Sequence, residues 1–194
     1  MEEKEVKTGD KISIVVPCYN EEDVLSTFYH EVHKIMIEKL REIDFEIIFI
    51  DDGSKDTTAA IIKELNEKDK HVEFISFSRN FGKESAIYAG LRFADGDYTV
   101  IMDADLQHPP EVILQMYEEM KSGRYDMIAT RRKNRSTDTK FRAVGAKLFY
   151  KVMNKISGID MGNNAMDFRM LNRKAKNAIL SMGEYNRFSK GIFE

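Results

Sequence analysis

The chain contains a single cysteine, Cys18, which excludes an internal disulfide and any multi-cysteine zinc site. That usage fits a reducing compartment, and Cys18 itself reads as buried packing rather than a nucleophile. Only three prolines occur, and each falls where a strand would end: Pro17, Pro109 and Pro110. No run approaches the roughly 18 apolar residues of a membrane span. Residues 1–10 are charged, lack an apolar signal region and read as a flexible tail, so the chain as given is expected to be soluble. Basic charge is not in excess either: the net charge is −3, which argues against nucleic acid as a partner. Gly-x-Gly-x-x-Gly and Gly-x-x-x-x-Gly-Lys-Ser/Thr are both absent, disfavouring a dinucleotide oxidoreductase and a P-loop nucleotidase.

What remains is enough for a core. Hydrophobic residues make up 42% of the 194 and charged residues 32%, the balance of one globular domain over residues 1–194. Apolar runs predict strands over 12–16, 45–50, 72–77, 98–102 and 127–130. Between them, helical spacing predicts helices over 24–40, 57–69, 84–93 and 111–121. Such alternation implies an α/β fold with a mainly parallel sheet. Residues 131–142 are basic and polar. An amphipathic stretch follows over 143–156, with Val144, Leu148, Val152 and Ile156 on one stripe and Lys147, Lys151 and Lys155 beside it. It is readable as an interfacial helix on an anionic leaflet or as a plain helix covering the sheet.

Glu21, Asp52, Asp103 and Asp105 all fall just beyond predicted strand ends, the edge where open α/β sheets bind ligands. Asp103 and Asp105 stand one residue apart after a buried strand. In an extended chain both side chains point the same way, so they can share one hard cation. Gln107, one alternate step further, offers a third oxygen if the chain stays extended. A divalent cation on two carboxylates usually completes its shell with phosphate oxygens, which points to a phosphate-bearing substrate. Asp52 can accept the ring N–H of a uracil or guanine, Tyr19 offers a stacking face and Glu21 can accept from a ribose hydroxyl. Each turn also has a plainer reading, with Ser54 or Asp56 capping the helix after it. His108 has no second histidine or cysteine nearby in sequence, so it contacts the turn more readily than a metal.

Four segments carry a resemblance: Val15-Val16-Pro17-Cys18-Tyr19-Asn20-Glu21, Asp51-Asp52-Gly53-Ser54, Arg79-Asn80-Phe81-Gly82-Lys83 and Asp103-Ala104-Asp105-Leu106-Gln107-His108-Pro109-Pro110-Glu111. In this order they resemble family 2 glycosyltransferases, and more narrowly the polyprenyl-phosphate branch. The resemblance implies a GT-A fold, a Rossmann-like α/β/α sandwich, and inverting transfer of a hexosyl group from a nucleotide sugar to a lipid phosphate. Pro17, Tyr19, Glu21, Asp52 and Lys83 would then hold the nucleotide sugar. Asp103, Asp105 and Gln107 would bind Mg²⁺ or Mn²⁺. Arg131 and Arg142 would grip phosphate groups, as suits a planar guanidinium. Asp167 matches the family's candidate catalytic aspartate, with Arg169 beside it. A phosphate monoester is already largely anionic at neutral pH, so Asp167 is as readable as an orienting group as a base.

Two departures stand out. Asn186, Arg187 and Phe188 match the family's later segment, but Lys190 replaces a usual arginine. The usual continuation into transmembrane helices is missing from the sequence given, which implies the catalytic domain of a longer, membrane-anchored enzyme. The expected partners are therefore a UDP-sugar in preference to a GDP-sugar, a polyprenyl phosphate and the cytoplasmic face of the plasma membrane, with self-association left open. A family 2 enzyme acting on a saccharide or cell-wall polymer is the alternative. A nucleotidyltransferase, which also uses paired carboxylates, is the other enzyme class in play.

Overall fold

The structure, a computed structural model, describes residues 9–131 and 165–182. Within them lie strands β1 (Lys11–Cys18), β2 (Asp44–Asp51), β3 (Val72–Ser76), β4 (Tyr98–Ile101), β5 (Met127–Arg131) and β6 (Ala165–Asn172). The helices are α1 (Leu25–Lys39), α2 (Thr58–Lys68), α3 (Lys83–Phe93), α4 (Val112–Lys121) and α5 (Arg173–Ser181). The strands form one sheet in the order β3-β2-β1-β4-β6-β5. β1 to β4 run parallel, whereas β6 is antiparallel to both neighbours. The chain winds outward from β1 to β3 and then returns to β4. The direction reverses between β1 and β4, which is where an open sheet leaves a crevice at the carboxyl ends of its strands.

The central strands are buried on both faces, so their sequences are continuous apolar runs rather than alternating ones. Ile12, Ile14, Val16, Ile47 and Phe49 face the larger core with α1 and α4. Val15, Ile48 and Ile50 face the opposite side with Ala86 of α3. Ile101 and Leu171 join Ile87 and Leu91 there, with Ala175 and Ile179 of α5 packed against them. Gly90 lets α3 sit low on the sheet, because a Cβ there would come within 2.3 Å of Val15 Cγ1. Phe49 is fully buried and meets Phe28 edge-on at 6.1 Å. Phe49→Ala is expected to lower the unfolding free energy by about 3–5 kcal/mol. Urea denaturation with an unchanged m value is the check.

Pro17 lies inside β1, one residue beyond the expected strand end, and its place has a simple cause. The carbonyls of Lys11 and Val15 accept from Asp97 and Met102 N–H, so odd-numbered residues of β1 turn their main chain toward β4. The β1–β4 pairing stops at Val15, so the N–H that proline lacks would have had no ladder partner.

β6 and α5 were not expected from the sequence, and β6 makes the sheet mixed. The basic segment over 132–157, with Arg142 and the amphipathic stretch, lies outside the described residues, as do Asn186, Arg187 and Phe188. Among the described residues, no helix is long and apolar enough to cross a membrane.

Candidate active site

At the carboxyl edge of β1, β2 and β4 a cleft of about 360 Å³ opens. Pro17 lines it from the end of β1, Tyr19 and Glu21 from the β1–α1 connection, and Asp52 from just after β2. Lys83 enters from the start of α3, and Asp103 and Asp105 from the segment after β4. These residues are distant in sequence. The parallel winding brings them to one rim.

The loops around the cleft are tied to each other by main-chain and side-chain bonds. Asn20 N–H donates to Ser54 Oγ at 3.0 Å, and Lys55 N–H donates to Asn20 Oδ1 at 2.8 Å. Glu21 N–H donates to Thr58 Oγ1 at 2.8 Å, and Glu22 Oε2 accepts from Thr57 N–H and hydroxyl at 2.9 and 2.6 Å. Ser54 therefore ties two loops together rather than capping α2. Asp56 does serve the helix start, accepting from Thr58 N–H at 3.0 Å.

Asp51 builds the turn after β2, accepting from Ser54 N–H and the Ser76 hydroxyl, each at 2.9 Å. Asp52 is almost fully buried, and its two oxygens accept from Phe81 N–H at 2.7 Å and Gly82 N–H at 2.9 Å. It thus shapes the 79–83 loop besides lining the cleft. Gly53 between these turns has a φ of +70°, and a Cβ there would lie 2.4 Å from the Arg79 carbonyl carbon. Gly82, at a φ of +93°, ends the loop and starts α3. The loop delivers Lys83 and the amide-rich helix start to the cleft, where anions are favoured.

Electrostatics concentrate on the acidic side. Lys83 Nζ stands 2.8 Å from both carboxylate oxygens of Asp103. Burial, then the charges of Asp105, Asp103 and Asp56, push the Glu21 carboxyl above its ordinary value, with Lys83 opposing them. Burial, then Glu21, Asp51 and Asp103, push the Cys18 thiol well up, which keeps it a neutral core group. Because the folded domain holds the Glu21 proton more tightly than the unfolded chain, this group's stabilising contribution falls as pH rises from 4.5 through the raised value. A cation held among these carboxylates relieves the repulsion. Manganese is therefore expected to raise Tm more at about pH 7.5 than at about pH 5, which thermal unfolding at the two pH values measures.

Not every expected site residue lines the cleft. β4 ends at Ile101, and Ala104 and Asp105 sit in a turn rather than in an extended strand. Leu106 takes a φ of +53°, and Gln107 N–H folds back onto Asp105 Oδ1 at 3.1 Å. The extended chain that would aim Gln107 beside the two aspartates is thus broken, and Gln107 does not line the cleft. His108 rests its ring against Phe168 of β6, 5.3 Å between centroids. Arg169 pairs with Ile101 and Ala129 within the sheet, is 2% exposed and does not line the cleft. Asp167 lies two residues before it in β6, toward the rim where β4 ends, and Arg131 closes β5. Sequence reasoning missed one further cluster, His33, Asp69 and His71, because it joins α1 to the α2–β3 turn.

The model of glycosyl transferase family 2 matches residues 13–180. The chain belongs to that family. Its fold is GT-A, a mostly parallel sheet between helical layers. A prophage bactoprenol glucosyl transferase homolog of Escherichia coli is 45% identical over 182 residues, covering 94% of this chain and 58% of that protein. The chain thus spans less than two thirds of that relative's length. Among solved structures, a Pyrobaculum calidifontis mannosyltransferase with GDP-mannose and Mn²⁺ superposes with a TM-score of 0.62 at 16% identity. It covers 89% of this chain and 47% of its own. A Mycobacterium tuberculosis glucosyl-3-phosphoglycerate synthase with Mn²⁺, UDP-glucose and phosphoglyceric acid gives 0.61 at 20% identity. It covers 87% of this chain and 59% of its own. Both likenesses concern the fold of this family 2 domain.

Proposed function

We propose that this family 2 domain transfers a sugar, with inversion, from a nucleoside-diphosphate sugar to a polyprenyl phosphate at the cytoplasmic face of a membrane. A UDP-sugar is the preferred donor. The observation that carries the reading is the convergence of Glu21, Asp52, Lys83, Asp103 and Asp105 from separate connections onto one cleft. The lipid acceptor is supported by the likeness to the bactoprenol glucosyl transferase homolog.

The charged donors in the cleft are carboxylates, and Cys18, which also lines it, is buried and kept a neutral thiol, so the hard oxygen set suits Mg²⁺ or Mn²⁺. Burial and then the charges of Asp105 and Asp103 raise the Glu21 carboxyl, and a divalent cation between these carboxylates would offset the charge part of that effect. Asp103 and Asp105 would hold the ion, which supplies charge neutralisation on the departing diphosphate. Tyr19 stacks on the base, and Asp52 fixes the loop under it. Lys83, now paired with Asp103, adds a cationic contact for the diphosphate. The acceptor phosphate attacks from the sugar face opposite the leaving group. Arg131 and Arg142 are assigned to grip phosphate, and Asp167 to orient the acceptor.

The test is incubation of the protein and bacterial membranes with a panel of labelled UDP-sugars and Mn²⁺. Label extracted into organic solvent is the expected result. Label appearing only in a water-soluble or insoluble polymer would replace the lipid acceptor with a saccharide. Release of pyrophosphate rather than nucleoside diphosphate would replace the reaction class.

A further inference from the structure

At the other end of the sheet, His33 of α1, Asp69 at the end of α2 and His71 just before β3 meet. One ligand atom from each lies within 4.8 Å of the others. His33 Nε2 stands 3.4 Å from Asp69 Oδ2, and His71 Nδ1 stands 2.8 Å from Asp69 Oδ1. Phe45, at the start of β2, stacks flat on the His71 ring at 4.4 Å and 4°. The cleft lies past the far end of that strand, whose eight residues span about 25 Å at ~3.3 Å each. The cluster plays no part in the chemistry proposed above.

We propose that His33, Asp69 and His71 form a second metal site, taking one transition-metal cation of the zinc type. Two imidazoles and a carboxylate are the ligand types of a three-ligand zinc site with an open fourth position. Ligands about 2.0–2.2 Å from one zinc stand about 3.3 Å apart in a tetrahedron. His33 Nε2 and Asp69 Oδ2 are at 3.4 Å, and the 2.8 Å hydrogen-bond distance between His71 Nδ1 and Asp69 Oδ1 would lengthen by about 0.5 Å to admit the ion. The three side chains are partly exposed, 32% for His33, 22% for His71 and 11% for Asp69, so an ion can reach them. The surroundings pre-set the ligands. The Tyr29 hydroxyl donates to Asp69 Oδ2 at 2.9 Å, and His71 N–H donates to Asp69 Oδ1 at 2.9 Å. Orienting partners of this kind typically change metal affinity about 10–100-fold. The chemistry also separates the two sites. Imidazole favours zinc or cobalt, and the carboxylates of the cleft favour magnesium or manganese.

The test is titration of the whole metal-stripped chain with Co²⁺ and with Zn²⁺, following heat and the visible absorption of cobalt. One equivalent is expected to bind with the visible bands of a low-coordinate nitrogen and oxygen site. His33→Gln and His71→Gln should each remove that event, while Asp103→Asn with Asp105→Asn should leave it intact. Tyr29→Phe, which keeps the ring, should weaken zinc about tenfold. Circular dichroism and Tm without metal verify that each variant folds. Absence of the equivalent from the native chain would overturn the proposal. So would its survival in both histidine variants, or its loss in the aspartate variant alone. Such outcomes would leave the cluster as a hydrogen-bonded clasp between α1 and β3.

Discussion

Asp103→Asn and Asp105→Asn are each expected to weaken manganese-dependent binding of a UDP-sugar by at least about 100-fold, with no loss of fold. The groups that merely orient metal ligands change affinity about 10–100-fold, and removal of a ligand itself exceeds that range. Asparagine keeps the shape of the side chain but loses the charge that a hard divalent cation needs. The fold survives because neither carboxylate carries core packing: Asp105 is exposed, and Asp103 is partly exposed with Lys83 as its partner. Asp103→Asn has a second effect, because it leaves the Lys83 ammonium without its counter-charge. The metal-free variant should therefore bind free UDP no more weakly than the native domain, while its response to manganese vanishes. Calorimetry with and without Mn²⁺ separates these terms.

The second large effect is on stability. Gly53→Ala places a side chain at a φ of +70° and pushes its Cβ to 2.4 Å from the Arg79 carbonyl carbon and 2.7 Å from Asn80 N. The left-handed conformation alone costs about 1–2 kcal/mol for a residue with a Cβ. The clash adds to that, because its partner is main chain rather than the flexible end of a side chain. That main chain cannot easily retreat, since Asp52 holds Phe81 N–H and Gly82 N–H at 2.7 and 2.9 Å. A loss of about 3 kcal/mol or more is expected, lowering Tm by about 6–12 °C. If the substitution also shifts the 79–83 loop, Lys83 moves away from Asp103, and donor binding weakens with stability. An unchanged Tm would mean that the turn after β2 does not abut the loop before α3.

The strands and helices that build the rim were legible because parallel strands buried on both faces leave continuous apolar runs, as in Ile47-Ile48-Phe49-Ile50. The carboxylates were legible because they follow those runs directly. β6 was harder, since in Met166-Asp167-Phe168-Arg169-Met170 a charged residue interrupts each apolar one, and Arg169 is buried all the same. The apolar residues of α5 against the core are Ala175, Ile179 and Leu180, beside the buried Lys176 and polar neighbours, too narrow a stripe to read. The placement of Gln107 depends on Leu106 adopting a positive φ, which no glycine or asparagine at that position announces. The double hold of Asp52 on the 79–83 loop and the Lys83–Asp103 pair join segments about 20 to 30 residues apart. Only the fold brings those partners together. His33 and His71 escaped notice for the same reason.

Calorimetry of the native domain with a UDP-sugar, once in Mn²⁺ and once in chelator, probes the acidic cleft most directly. Saturable binding of one equivalent in manganese, lost when the metal is removed, is the expected result. Equal affinity under both conditions would contradict a cation-bridged donor held by Asp103 and Asp105.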